Sequence, residues 1–171
     1  MGKAVFSEDR RYRYFLEREL NPILGNADGG QTCTFLMLNP STADETANDP
    51  TVARCIGYAK RWDCSRLIVV NLSPLRATDP KRMIAAGPEP DDVWQRNLGA
   101  IRDAAAVSDW FMAAYGNHGI AENRAERVLA DLQARHTSVY VLGLTKQGHP
   151  RHPLYCNADL RPLLLWKQGA T

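Results

Sequence analysis

Four short apolar stretches punctuate this chain, and each gives way at once to polar turn residues. Cys33 to Leu38, Leu67 to Leu72, Trp110 to Tyr115 and Val139 to Leu142 have the length and composition of buried strands. Helical spacing fills the gaps. Asp49-Pro50 is a helix start, Asp as cap and Pro at the first position, and Val52, Ile56 and Ala59 form an apolar stripe running to about Trp62. Thr78 or Asp79 caps a short helix ending near Ala86, and Gly87-Pro88-Glu89-Pro90 breaks the chain. A longer helix follows from Asp91 to Ala106, and another from Ala121 to Arg135 with Val128, Leu129 and Leu132 facing inward. Near the start, Tyr12, Tyr14 and Leu16 alternate as in an edge strand, although Ser7 onward also reads as a helix start. Asn21 to Gln31 reads as a loop or hairpin connection, and Leu160 to Trp166 as a last helical turn.

Strand and helix therefore alternate, which predicts an α/β fold with a mostly parallel central sheet and helices on both faces. The carboxyl ends of parallel strands share one edge. Four polar loops then converge where open α/β sheets bind ligands.

Composition narrows this picture. A chain of 171 residues, 44% hydrophobic and 23% charged, is large enough to form one core, and we expect a single domain over residues 1–171. A net charge of +2 does not by itself argue for nucleic acid, although Lys146, Arg151 and His152 cluster late in the chain. No apolar run approaches the ~18 residues of a membrane span, and MGKAVFSEDRRYRYF is no signal segment, so a cytoplasmic protein with no membrane partner is expected. Cys33, Cys55, Cys64 and Cys156 show no CxxC spacing and read as small core residues. The absence of GxGxxG and of a Walker loop removes motif support for a bound dinucleotide or P-loop nucleotide, and no cofactor or metal is expected. GxSxG and HExxH are absent too.

The loops carry the chemistry. After the first strand come Asn39, Ser41, Thr42, Asp44, Glu45, Asn48 and Asp49. Singly these are turn residues. Together they exceed what a turn needs, and their carboxylates and amides can position water, a metal or a base edge. The second loop offers Asn71 and Arg76, whose planar fork either clamps a phosphate or carboxylate or pairs with a loop carboxylate. Gly116-Asn117-His118-Gly119 is an ordinary strand-to-helix turn that also lets backbone approach a ligand. The fourth loop brings Lys146, His149, Arg151, His152 and Tyr155 within ten residues. His152 can donate to a developing oxyanion or move a proton, while Lys146 and Arg151 can hold phosphates.

The stretches MLNPSTADETANDPTVARC, VVNLSPLRATDP, AYGNHG and LGLTKQGHPRHPLY resemble the DUF1643 family of bacterial proteins, in order, from about Tyr12 to Tyr155. That family name carries no activity. More distantly, MLNPS and RHP resemble two motifs of the uracil-DNA glycosylase-like superfamily. The resemblance implies a three-layer α/β/α sandwich. It also implies that Asn39 positions an attacking water and that His152 stabilises a departing base.

The expected function is accordingly a polar site that binds or hydrolyses a nucleobase or nucleotide in glycosylase-like fashion. Asn39, Asp44, Asp49 and His152 are the expected catalytic set. Ser41, Thr42, Asn48, Asn71, Arg76, Lys146, Arg151 and Tyr155 are expected to contact substrate, with nucleic acid among the expected partners. The alternative is a non-catalytic module that recognises a nucleotide, nucleic acid or protein through the same rim. A more distant one is a metal-dependent hydrolase using Asp44, Asp49 and His152.

Overall fold

The computed structural model of the protein describes residues 2–20, 30–117 and 120–166. These residues form a mixed α/β fold around a seven-stranded sheet. In chain order the elements are β1 (Gly2–Phe6), β2 (Arg13–Glu19), β3 (Gln31–Met37), α1 (Pro50–Arg61), β4 (Cys64–Asn71), α2 (Pro80–Ala86), α3 (Asp91–Ala106), β5 (Trp110–Ala113), α4 (Ile120–Ala134), β6 (Val139–Val141) and β7 (Leu163–Trp166). Across the sheet the order is β1-β2-β4-β3-β5-β6-β7.

The four strands expected from apolar pattern are β3 to β6, and they pair in parallel. Both faces of β3 and β4 are covered. Cys33, Phe35, Met37, Leu67 and Val69 pack with Val52, Cys55, Tyr58 and Trp62 of and beside α1. Leu36, Ile68 and Val70 pack with residues of α2, α3 and α4, among them Met83, Ile101 and Leu132. A strand covered on both sides reads as continuously apolar, which is why these were legible. The chain runs from β3 through α1 to β4 on one side, then returns across β3 to β5 on the other. Crossovers of one hand made in opposite directions place their helices on opposite faces. The reversal occurs at the carboxyl end of β3, the point where open sheets part to form a crevice.

The sheet is mixed rather than mostly parallel. β2 runs antiparallel to β4, β1 antiparallel to β2, and β7 antiparallel to β6. β2 is not an edge strand, because β1 covers it. The Leu160–Trp166 tail is no helical turn: Leu163–Trp166 adds β7 to β6. Its neighbouring leucines suit either state, and the exposed backbone edge of β6 decided the outcome. Of the expected connection over residues 21–31, residues 21–29 lie outside the described residues.

Candidate functional site

The carboxyl ends of β3, β4, β5 and β6 meet at one cavity of about 640 Å³. Beyond β3, Asn39 and Ser41 line it; beyond β4, Ala77 and Thr78 follow Asn71 at the strand's last position. The β5 end supplies Tyr115, Gly116 and Asn117, and the β6 end supplies Thr145, Lys146, Gln147, Arg151, His152 and Tyr155. Asp49, Thr51 and Val52 enter from the start of α1, and Arg13 from β2. Met37, Leu38 and Val69 give the cavity an apolar part.

Asn39 donates through Nδ2 to the carbonyls of Pro40 (3.0 Å) and Ala77 (2.7 Å). With the amide nitrogen committed to loop carbonyls, the side chain offers the cavity an acceptor. Asp49 is 7% exposed and caps α1, its Oδ1 accepting from the Val52 amide at 2.8 Å. That leaves one carboxylate oxygen beyond the cap. Asn71 is 1% exposed, and both Oδ1 and Nδ2 are sealed without a hydrogen-bond partner. Asn97 on α3 does not satisfy it; its Nδ2 donates instead to the main-chain carbonyl of Asn71 at 2.9 Å. Burial, with a smaller push from Glu126, raises the Tyr115 phenol to about 12, so it stays a neutral donor.

The fourth loop is a preformed hairpin. Thr145 N donates to His149 O, Arg151 N to Gly143 O, and Gly148 turns the chain at φ +84°. Asn117 ties this hairpin to the β5 loop, accepting from Thr145 Oγ1 at 2.6 Å and donating to Gln147 Oε1 at 2.8 Å. His152 precedes a 3₁₀ turn at Pro153–Tyr155, and its Nδ1 accepts a long bond of 3.4 Å from the Leu154 amide. A ring accepting at Nδ1 carries its donor proton at Nε2. Tyr155, 82% exposed, lies beside it with ring centroids 5.6 Å apart. α1 holds the following segment in place: Arg54 donates to Cys156 O and Pro153 O, Tyr58 to Asn157 O, and Trp62 to Leu160 O.

Of the expected site residues, Asn39, Ser41, Asp49, Asn71, Lys146, Arg151, His152 and Tyr155 are brought together at the cavity. Thr42, Asp44, Asn48 and Arg76 are not among its lining. Asp44 builds a turn, with Oδ1 accepting from the amides of Ala47 and Thr46. Those two amides, Ala47 first, hold its carboxyl down to about 2. Asn48 accepts from Arg18 Nε at 2.8 Å. Arg76 stacks over Phe6 and donates to the Arg10 carbonyl, which binds it to the amino-terminal hairpin. Among the described residues, no three His, Cys, Asp or Glu side chains form a group able to hold a metal ion. Polar lining residues outside the expected set are Arg13, Thr51, Thr78, Tyr115, Asn117, Thr145 and Gln147. Arg13 is one of four charged residues in the seven of β2, so nothing in the sequence singled it out.

A family model described as "Protein of unknown function (DUF1643)" matches residues 13–154. The chain belongs to the DUF1643 family. The matched span begins at Arg13 and contains every cavity-lining residue except Tyr155. No curated protein and no solved structure matches this DUF1643 chain. No helix among its described residues is long and apolar enough to cross a membrane.

Proposed function

We propose that the cavity binds a nucleobase or nucleotide and supports glycosylase-like hydrolysis. In this reading the α1 side, the sheet and the α2–α4 side form a three-layer α/β/α sandwich of the uracil-DNA glycosylase-like kind. The observation that carries the proposal is the convergence of amide, carboxylate and imidazole groups from separate strand ends on one concave site. Asn71 is the informative member. An amide presents a donor and an acceptor side by side, the pattern of a base edge, and the fold uses neither. The two groups are sealed, so engaging them requires their cover to shift as ligand enters. Lys146 and Arg151 at the mouth suit a phosphate.

The hydrolytic step assigns the remaining groups. Asn39 Oδ1 and the uncommitted oxygen of Asp49 accept from a water and orient it towards the sugar carbon. As the new C–O bond forms, the C–N bond breaks and its electron pair leaves with the base. The water proton passes to Asp49, and His152 Nε2–H donates to the negative charge on the base. The non-catalytic reading draws on the bond from Leu154 N to His152 Nδ1, which gives the ring a structural task.

Calorimetric titration with the free bases and their nucleotides tests binding. Incubation with nucleosides and uracil-containing single strands, followed by chromatography, tests base release. Binding that weakens about tenfold or more in Asn39→Ala or His152→Ala supports the site assignment. Base release separates the enzyme from the module. Absence of binding by every base and nucleotide, or binding untouched by both substitutions, defeats it.

A further inference from the structure

Two arginines on β2 are buried, and they differ in a way that assigns one of them to a ligand. Arg18, 7% exposed, has every guanidinium nitrogen engaged. Nε donates to Asn48 Oδ1, Nη1 to the Glu17 carbonyl, and Nη2 to the carbonyls of Asp44 and Ala47. That is a structural arginine. Arg13 is more deeply buried, at 2% exposed, yet it makes one side-chain bond, from Nη1 to the Ala43 carbonyl at 2.9 Å. Its Nε is sealed with no partner, and Nη2 has no hydrogen bond among the described residues. No carboxylate lies within salt-bridge distance of it among the described residues, although Asp49 contributes favourably from farther away. Burial pushes its pKa down to about 10, so it is still charged at neutral pH. Arginines this deep are ordinarily paired. Arg13 lines the cavity and Arg18 does not.

We propose that Arg13 is a specificity residue that requires a negatively charged group on the ligand, a carboxylate or a phosphate, to enter the cavity. Once the cover over Nε shifts, an anion would take up the planar Nε and Nη2 edge that the protein leaves unpaired, which a neutral base cannot do equally well. This deepens the nucleobase or nucleotide reading and rests on it. It also assigns the buried charge a different task from Lys146 and Arg151, which are exposed at the mouth.

The test compares matched ligands on the whole chain by calorimetry. Uracil against orotate carries the carboxylate arm, and each nucleoside against its monophosphate carries the phosphate arm. The wild-type protein is expected to bind one anionic member about tenfold or more tightly than its neutral counterpart. Arg13→Gln is expected to remove that preference, and Arg13→Lys to keep part of it. A preference that survives unchanged in Arg13→Gln belongs to the mouth and overturns the assignment. Equal wild-type affinity within every pair also overturns it, while leaving the cavity reading intact. Should no member of any pair bind, the cavity reading itself fails. Should Arg13→Gln not fold, the Arg13 Nε–H resonance of the wild-type protein decides: it moves with the anion and not with the neutral partner if the assignment holds, and equally with both if it does not.

Discussion

A sealed amide with neither group paired costs a fold about 1–3 kcal/mol, so the two unpartnered groups of Asn71 mark a position where stability yields to another demand. Leucine is close in shape and carries no polar group. Asn71→Leu is therefore expected to melt above the wild-type protein, the gain being of order 1 kcal/mol, while binding of any cavity ligand weakens. A melting temperature that falls would show the amide to be structural. Asp44 lies at the opposite extreme, a carboxylate whose Oδ1 accepts from the Thr46 amide, the Thr46 hydroxyl and the Ala47 amide of its own turn. Its folded pKa, about 2, lies below the ordinary value of 3.8. A depressed carboxyl contributes stability above the unfolded value and loses it as pH falls through the folded one. Comparison of Asp44→Ala with the wild-type protein by denaturant unfolding should show a constant difference above pH ~4.5 that closes between pH ~4 and ~2.

Among the elements, the amino-terminal hairpin does more than extend the sheet. Arg13 and Arg18 of β2, with Arg10 just before it, grip the loop after β3: Arg13 on Ala43, Arg18 on Asp44, Ala47 and Asn48, and Arg10 on Glu45. Arg18→Met keeps the aliphatic stem and removes four bonding partners. A loss of about 2 kcal/mol or more is expected, with faster amide exchange at Thr46 and Ala47 and intact protection in β4. Sequence could not foresee the grip. In β2 the register against β1 shifts, Val5 facing Phe15 and Phe6 facing Arg13, so Tyr14 is an extra residue. This bulge turns Arg13 to the side of Leu16 and Arg18, where strict alternation would put it on the opposite face. Regular elements were legible because burial writes a period: β3 to β6 and the capped start of α1 match expectation closely. Gly2–Phe6 has only five residues and no alternation, and Leu163–Trp166 acquires strand character from pairing with β6. The cavity was legible in outline for a topological reason, since parallel strands deliver their loops to one edge. What remained hidden was which polar residues face inward, because turn formation and ligand binding use the same side chains.

At the scale of the molecule, the family match covers β2 to β6 with all four helices, while β1 and β7 fall outside it. The matched part contains the buried residues of both apolar layers, on opposite faces of the sheet, except Cys156. The four cysteines are not shared between those layers. Cys33, Cys55, Cys64 and Cys156 are all free and buried, and all belong to the α1 side. Burial raises the Cys33, Cys55 and Cys156 thiols, so the reactive thiolate is scarce at neutral pH. Alkylation of the native protein, followed by mass spectrometry, is therefore expected to be slow, and rapid labelling under native conditions would contradict this packing. Cys156, held by the short turn beyond His152, should be modified first. The consequence is a one-sided chemical clock: a thiol reagent times the opening of the α1 layer and is blind to breathing of α2, α3 and α4. Amide exchange reads both layers, so the two rates taken together distinguish a molecule that parts along one face of its sheet from one that comes apart as a whole.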